Sequence, residues 1–182
     1  MIEIRFSGFG GQGIIKCGYI VGAAASIYDT KHATMTQSFG PEARGSACSS
    51  QLLVSDDRIL YPYINRPQIL VCMSQEAYEK YEPNLVDDGI LIIDEDLVKS
   101  KALRGKIKMH SMPATRFSEQ LGNKIIANVV MLGFFTAVTG IVTYDSMKKA
   151  IPDSVPERAV SLNLRAFDRG YEYGKEYLKK TN

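Results

Sequence analysis

An α/β fold is what this sequence predicts: three layers, with a mostly parallel sheet between helices on both of its faces. Three observations carry the prediction. Short apolar runs that read as strands alternate with segments of helical periodicity; the first strand runs through a glycine loop into a helix, a Rossmann-like start; and the last third reads as helix after helix. Strands separated by helices pair in parallel, because each crossover carries the chain back to the end of the sheet from which the previous strand began. The 182 residues, 45% hydrophobic and 23% charged, are read as one domain, 1–182. At that length a fold buries roughly 70% of the surface of the extended chain, so no disulfide or structural metal is needed for stability.

Each element follows from its residues. In residues 2–6 (IEIRF), Ile2, Ile4 and Phe6 fall on one face of a strand that the glycines then stop. Ile14, Cys17, Ile20, Val21, Ala24 and Ile27 recur at helical spacing, with Asp29 as a polar exit. Small and polar residues fill 30–50, where a short strand enters and a longer one, 46–55, leaves. Between them Pro41-Glu42-Ala43-Arg44 reads as an exposed loop or one helical turn. Residues 68–73 (QILVCM) and 89–93 (GILII) have the continuous apolar character of strands buried on both faces, and 106–109 (KIKM) is a weaker strand. Ser74 is placed to cap a helix through Tyr81, with Glu76 near its positive end, and Pro113 opens a helical turn. Residues 125–139, 143–150 and 156–179 read as three closing helices, the last with Glu157 at its start and Lys175, Lys179 and Lys180 at its end, charges that suit the helix dipole.

Composition excludes several classes of function. A net charge of +2 is too small to argue for nucleic acid or an anionic membrane surface. The opening MIEIRF places charge inside the first apolar run, so a cleavable signal is not expected and the cytoplasm is. Residues 125–142 hold no charge, yet Asn128, Thr136, Thr139 and two glycines interrupt them and anchoring flanks are missing, so a buried helix is expected rather than a membrane span. Cys17, Cys48 and Cys72 are odd in number and far apart, without the C-x-x-C spacing of a metal, cluster or redox pair; they are expected to be buried small hydrophobes in a reducing compartment.

The glycine loop, Ser7-Gly8-Phe9-Gly10-Gly11-Gln12-Gly13, contains G-x-G-x-x-G at Gly8, Gly10 and Gly13, between a strand and a helix. Three readings stay open. The glycines could serve only a sharp turn and close packing of helix on sheet. Backbone N–H groups at a helix N-terminus could receive a phosphate. Or the loop could belong to an independent NAD-type oxidoreductase, with Asp29 reaching a ribose hydroxyl.

Taken in order, GFGGQGI, TQSFGPEARGS, ILVCMSQEAYEKY and GILIIDEDLV resemble the gamma subunit of 2-oxoacid:ferredoxin oxidoreductases, over nearly the whole chain. The stretches at 73–78 and 38–45 are most similar to the 2-oxoglutarate type. The resemblance implies an oxidative decarboxylation on thiamine diphosphate with Mg2+, electron transfer through iron–sulfur clusters to ferredoxin, and acyl transfer to coenzyme A. Those cofactors would lie in partner alpha, beta and ferredoxin-like delta subunits, because this chain lacks the G-D-G…N diphosphate motif and the cysteine runs of a ferredoxin. This chain would have no catalytic residue and would be inactive alone. It would face the coenzyme A side of the site, with Gly8, Gly10, Gly11, Gln12, Gly13 and the forked guanidinium of Arg44 as candidates to hold coenzyme A phosphates; the alternative is that Arg44 pairs with Glu42 or a partner carboxylate and the loop binds nothing. The helix from Asn123, apolar on two sides, is expected either to lie inside the core or to meet a neighbour, and a homodimer of the isolated chain stays open.

Overall fold

A computed structural model describes residues 1–39 and 47–181. Six strands form one mixed sheet: β1 (Ile2–Phe9), β2 (His32–Ser38), β3 (Ala47–Ser55), β4 (Ile69–Cys72), β5 (Ile90–Asp94) and β6 (Lys108–Met112), in the order β2-β3-β1-β4-β5-β6. β1, β4, β5 and β6 are parallel neighbours, whereas β3 is antiparallel to both β1 and β2, so β3 alone runs against the rest. The helices are α1 (Ile14–Ala23), which widens into a π-turn over Ala24–Tyr28, α2 (Gln75–Tyr81), α3 (Ala114–Gln120), α4 (Ala127–Thr139), α5 (Tyr144–Ala150) and α6 (Val160–Thr181).

The expected three layers are present, with unequal outer ones. Ile4, Phe6, Leu52, Val54, Ile69, Val71 and Ile92 face one side, in a single core with α1 and α3 to α6. Leu70, Cys72, Leu91 and Ile93 face the other, where α2 contributes Ala77, Tyr78 and Tyr81. The caps fall where the side chains dictate: Ser74 Oγ accepts from Ala77 N at the start of α2, and Thr143 Oγ1 accepts from Ser146 N at the start of α5.

The apolar helix of the sequence proves to be internal. Residues 127–136 of α4 are all buried, because Phe135 meets Phe6 of the sheet edge-on at 5.2 Å on one side while α6 crosses the other. Glycines make that crossing close: a Cβ on Gly170 would strike the carbonyl of Val130, and one on Gly133 the carbonyl of Phe167. Of the apolar residues read onto this helix, only Ile125, in the 3-10 turn before it, stays exposed, at 76%. Among the described residues no helix is long and apolar enough to cross a membrane.

Two strand boundaries differ from the sequence reading. β1 does not stop at Phe6, since Ser7, Gly8 and Phe9 pair with Ser49, Cys48 and Ala47. The weak strand 106–109 lies two to three residues later, at Lys108–Met112, where pairing of Ile90 with Lys108 fixes its register on β5.

Candidate functional site

β1 and β4 are adjacent and parallel, yet the helices that leave their C-terminal ends go to opposite faces of the sheet, α1 to one and α2 to the other. Such a divergence opens a crevice at the carboxyl ends of the strands, the usual place for a ligand in an open α/β sheet. The glycine loop occupies it. Gln12 ties the loop to both strands: its Oε1 accepts from Phe9 N at 2.6 Å, and its Nε2 donates to Met73 O at 2.8 Å. Gly8 keeps room for this amide, since a Cβ there would sit 2.5 Å from Gln12 Oε1. Gly11 (φ 97°) and Gly13 (φ 74°) take left-handed conformations. Gly13 is the N-cap of α1 and brings no side chain to its N-terminal amides, so the positive end of the helix dipole faces the loop.

Two cavities meet at this helix end. The larger, about 780 Å3, runs from Gly10, Gly11 and Gly13 along Lys16 and Tyr19 to Met35 and Phe39, with mostly apolar walls. The smaller, about 280 Å3, lies on the other side of Gly11 and Gly13 and is lined by Asn123, Asn128 and Asn163. Lys16 borders both. Asn128, buried beneath the loop, donates from Nδ2 to Gly13 O at 3.3 Å. The structure thus brings together five of the six residues read from the sequence, with Gly10, Gly11 and Gly13 at the cavity and Gly8 and Gln12 as internal supports of the loop. Arg44 lies outside the described residues.

The sequence reading missed Lys16, Tyr19, Gln37 and Asp153. Lys16 was within reach, being the third residue after the last glycine and so in the first turn of α1. Gln37 and Asp153, the latter accepting from Tyr28 Oη at 2.9 Å, are brought to the larger cavity by tertiary folding and carry no local signal.

Asp29 answers the dehydrogenase reading. It follows the π-turn at the far end of the helix that begins at the glycine loop, roughly 20 Å from it at 1.5 Å per residue. Its carboxylate accepts from Thr143 N at 2.8 Å, Thr143 Oγ1 at 2.8 Å and Ser146 Oγ at 2.6 Å, holding the start of α5. An acid committed there cannot read a ribose on the loop. Burial pushes the Asp29 carboxyl up, but the bonds from Ser146 and Thr143 outweigh it and hold the group below its ordinary value. A lowered folded value contributes stability above the unfolded pKa of about 3.9 and loses it as pH falls through the folded value. Asp29→Asn is therefore expected to cost about 1 kcal/mol at pH 7, and urea unfolding of the two proteins should show the gap closing below about pH 4.

Among the described residues the crevice holds no ready thiolate and no metal cluster, and its charged side chains are Lys16 and Asp153. All three cysteines are buried, and burial pushes the thiols of Cys17 and Cys72 up to about 12. Cys48, at the larger cavity, is also raised by burial, so none is a ready thiolate at neutral pH. Asp94, a buried acid at the end of β5, is held up by burial and accepts from Thr115 N and Thr115 Oγ1, which anchors the first turn of α3. Among the described residues no three His, Cys, Asp or Glu side chains cluster as a metal would require. What the geometry can do is accommodate an anionic group beside an apolar one.

Comparison with known proteins identifies the family. The pyruvate ferredoxin/flavodoxin oxidoreductase family matches residues 3–173. A 2-oxoglutarate synthase subunit, KorC, of Methanocaldococcus jannaschii is 51% identical over 176 residues, covering 96% of this chain and 94% of its own. The gamma subunit of a keto/oxoacid ferredoxin oxidoreductase from Geobacter sulfurreducens superimposes with a TM-score of 0.84 at 40% identity, over 96% of this chain and 98% of that one. The same fold recurs, at 20% identity and a TM-score of 0.85, as 31% of a chain of the 2-oxoglutarate:ferredoxin oxidoreductase of Magnetococcus marinus, solved with 2-oxoglutarate, coenzyme A and succinyl-CoA bound, and 96% of this chain is covered. A helix-flanked mixed sheet, a glycine loop at its crevice and this likeness across the full length lead to one assignment: the chain belongs to the pyruvate ferredoxin/flavodoxin oxidoreductase family, as a gamma-type subunit of a 2-oxoacid:ferredoxin oxidoreductase.

Proposed function

We propose that this chain, acting as one domain over 1–182, is the gamma subunit of a cytoplasmic 2-oxoglutarate:ferredoxin oxidoreductase. The complex converts 2-oxoglutarate and coenzyme A into succinyl-CoA and CO2, passing two electrons to ferredoxin. The observation that carries this reading is a crevice with a bare helix N-terminus beside Lys16 and an apolar cavity, in a chain half identical to a 2-oxoglutarate synthase subunit. Alpha, beta and ferredoxin-like delta partners supply thiamine diphosphate, Mg2+ and the iron–sulfur clusters. This chain contributes the wall facing coenzyme A: the amides of residues 10–13, Lys16 and Arg44 meet phosphate oxygens, and the apolar cavity beside them receives the less polar part of the molecule.

Co-expression with the partner chains tests the substrate. Ferredoxin reduction should be fastest with 2-oxoglutarate and absent from the isolated subunit; a preference for pyruvate rejects the substrate. In the assembled enzyme Arg44→Ala and Lys16→Ala should each raise the KM for coenzyme A about tenfold with kcat little changed, the size of one charge-assisted phosphate contact. Unchanged KM values in both would remove the phosphate contact and leave the subunit assignment intact.

A further inference from the structure

The outer edge of β2 has no partner strand among the described residues. Edge strands of this kind are commonly guarded by lysine, proline, a bulge or short length. β2 has none of these guards. It is seven residues long, pairs without interruption with β3 from His32–Ser55 to Ser38–Ser49, and holds no charged residue or proline between Ala33 and Ser38. The opposite edge, β6, is five residues long and starts on Lys108.

Beside the open edge the described helices cover the sheet only in part. α1 is centred over β3 and touches β2 from the side, since a Cβ on Gly18 would meet Ser50 Oγ at 2.7 Å and Met35 Sδ at 2.9 Å and one on Gly22 would meet Leu52 at 3.2 Å. A groove of about 230 Å3 opens between Tyr19, Ala23 and Ile27 on the helix side and Ala33 and Met35 on the strand. Ile15, Tyr19, Ala23 and Ile27 follow one another at four-residue steps, and Tyr19 is 56% and Ile27 65% exposed. Two large apolar side chains facing water next to unpaired backbone make a surface suited to being covered.

We propose that this surface is a two-fold interface with a second copy of this chain, in which β2 pairs antiparallel with the β2 of the copy around Met35 and joins two six-stranded sheets into one. The strand itself selects that occupant. An antiparallel edge facing its own copy sets Thr34 beside Thr36 and Ala33 beside Gln37, so a neutral sequence is what avoids like charges in register. Spacing agrees. Three interstrand steps put α1 and its copy about 14–15 Å apart, where helices in direct contact lie about 8–10 Å apart. Tyr19 and Ile27, projecting from both helices over the short side chain of Ala33, fill that gap. The inference rests on the sheet edge; Tyr19 and Met35 also border the larger cavity, so its test reads association and not activity.

Sedimentation of the purified full chain tests it. The wild type should have twice the monomer mass. Tyr19→Glu and Ile27→Glu together should weaken association at least tenfold with unchanged circular dichroism, while Lys108→Glu on the opposite edge should leave it unchanged. Hydrogen exchange should show the outward-facing amides of 32–38, those not bonded to β3, protected in the wild type at high concentration and released on dilution, a readout that needs no variant. A monomeric wild type, a dimer that survives both substitutions, or protection of those outward amides that ignores concentration overturns the proposal.

Discussion

Gly170→Ala should lower the melting temperature by about 6–12 °C, and Gly170→Leu should prevent folding. On helix propensity alone the first change would stabilise an exposed helix by about 1 kcal/mol, so the sign of the result separates packing from propensity. Packing wins here because the new methyl meets backbone: it falls on the carbonyl of Val130, close also to Phe134 N at 3.1 Å, in a helix that is itself pressed against Phe6 of the sheet. Neither helix can yield by turning a side chain, so α4 or α6 must shift as a body. Overpacking of a filled core costs about 1–3 kcal/mol, and a backbone collision belongs at the upper end. At about 2–4 °C per kcal/mol for a chain of this size, 3 kcal/mol gives the stated range. Gly174→Ala should cost less, because its Cβ would meet the methyl of Ala137 at 2.6 Å, near the end of α4. Thermal unfolding of the three variants supplies the check; a Gly170→Ala protein as stable as the wild type would mean that the crossing is looser than described.

That crossing also marks the limit of what the sequence discloses. Strands β4 and β5 are legible to within one residue, since short apolar runs bounded by Pro67 and Gly89 can hardly be anything but buried strands. Ser74, Pro113 and Thr143 announce their helices by local chemistry. The last turn of β1 was hidden because Ser7-Gly8-Phe9 has loop composition and is made a strand by β3, forty residues on. The two-sided apolar character of α4 was legible, but whether core or neighbour covers it depends on Gly133 and Gly170, whose meeting no periodicity shows. In the site, the glycines and their position between strand and helix were readable. Asp29 misled because spacing counts residues and ignores which end of a helix they reach, and Asp153 joins the cavity only after the chain has returned from α5.

Gly13→Ala should disable the loop where Gly11→Ala only strains it, although the two glycines look alike in sequence. Both have positive φ, for which an alanine pays about 1–2 kcal/mol. At Gly11 nothing lies within 4 Å of the added Cβ, so that strain is the whole cost. At Gly13 the Cβ runs into the buried side-chain amide of Asn128, which also donates to Gly13 O, so relief requires breaking that bond or tilting the start of α1. The expected loss is about 3 kcal/mol or more, against about 1–2 for Gly11→Ala. If the collision is the cause, Asn128→Ala placed on Gly13→Ala should cost less than the sum of the single changes, with a coupling of at least about 1 kcal/mol, well above the additivity expected of independent sites. Strict additivity in urea unfolding of the four proteins would sink this account. The same displacement turns the N-terminal amides of α1 away from the cavity, so under the proposed function Gly13→Ala should raise the coenzyme A KM of the assembled enzyme more than Gly11→Ala does. A loop that binds nothing would show the stability difference without the kinetic one.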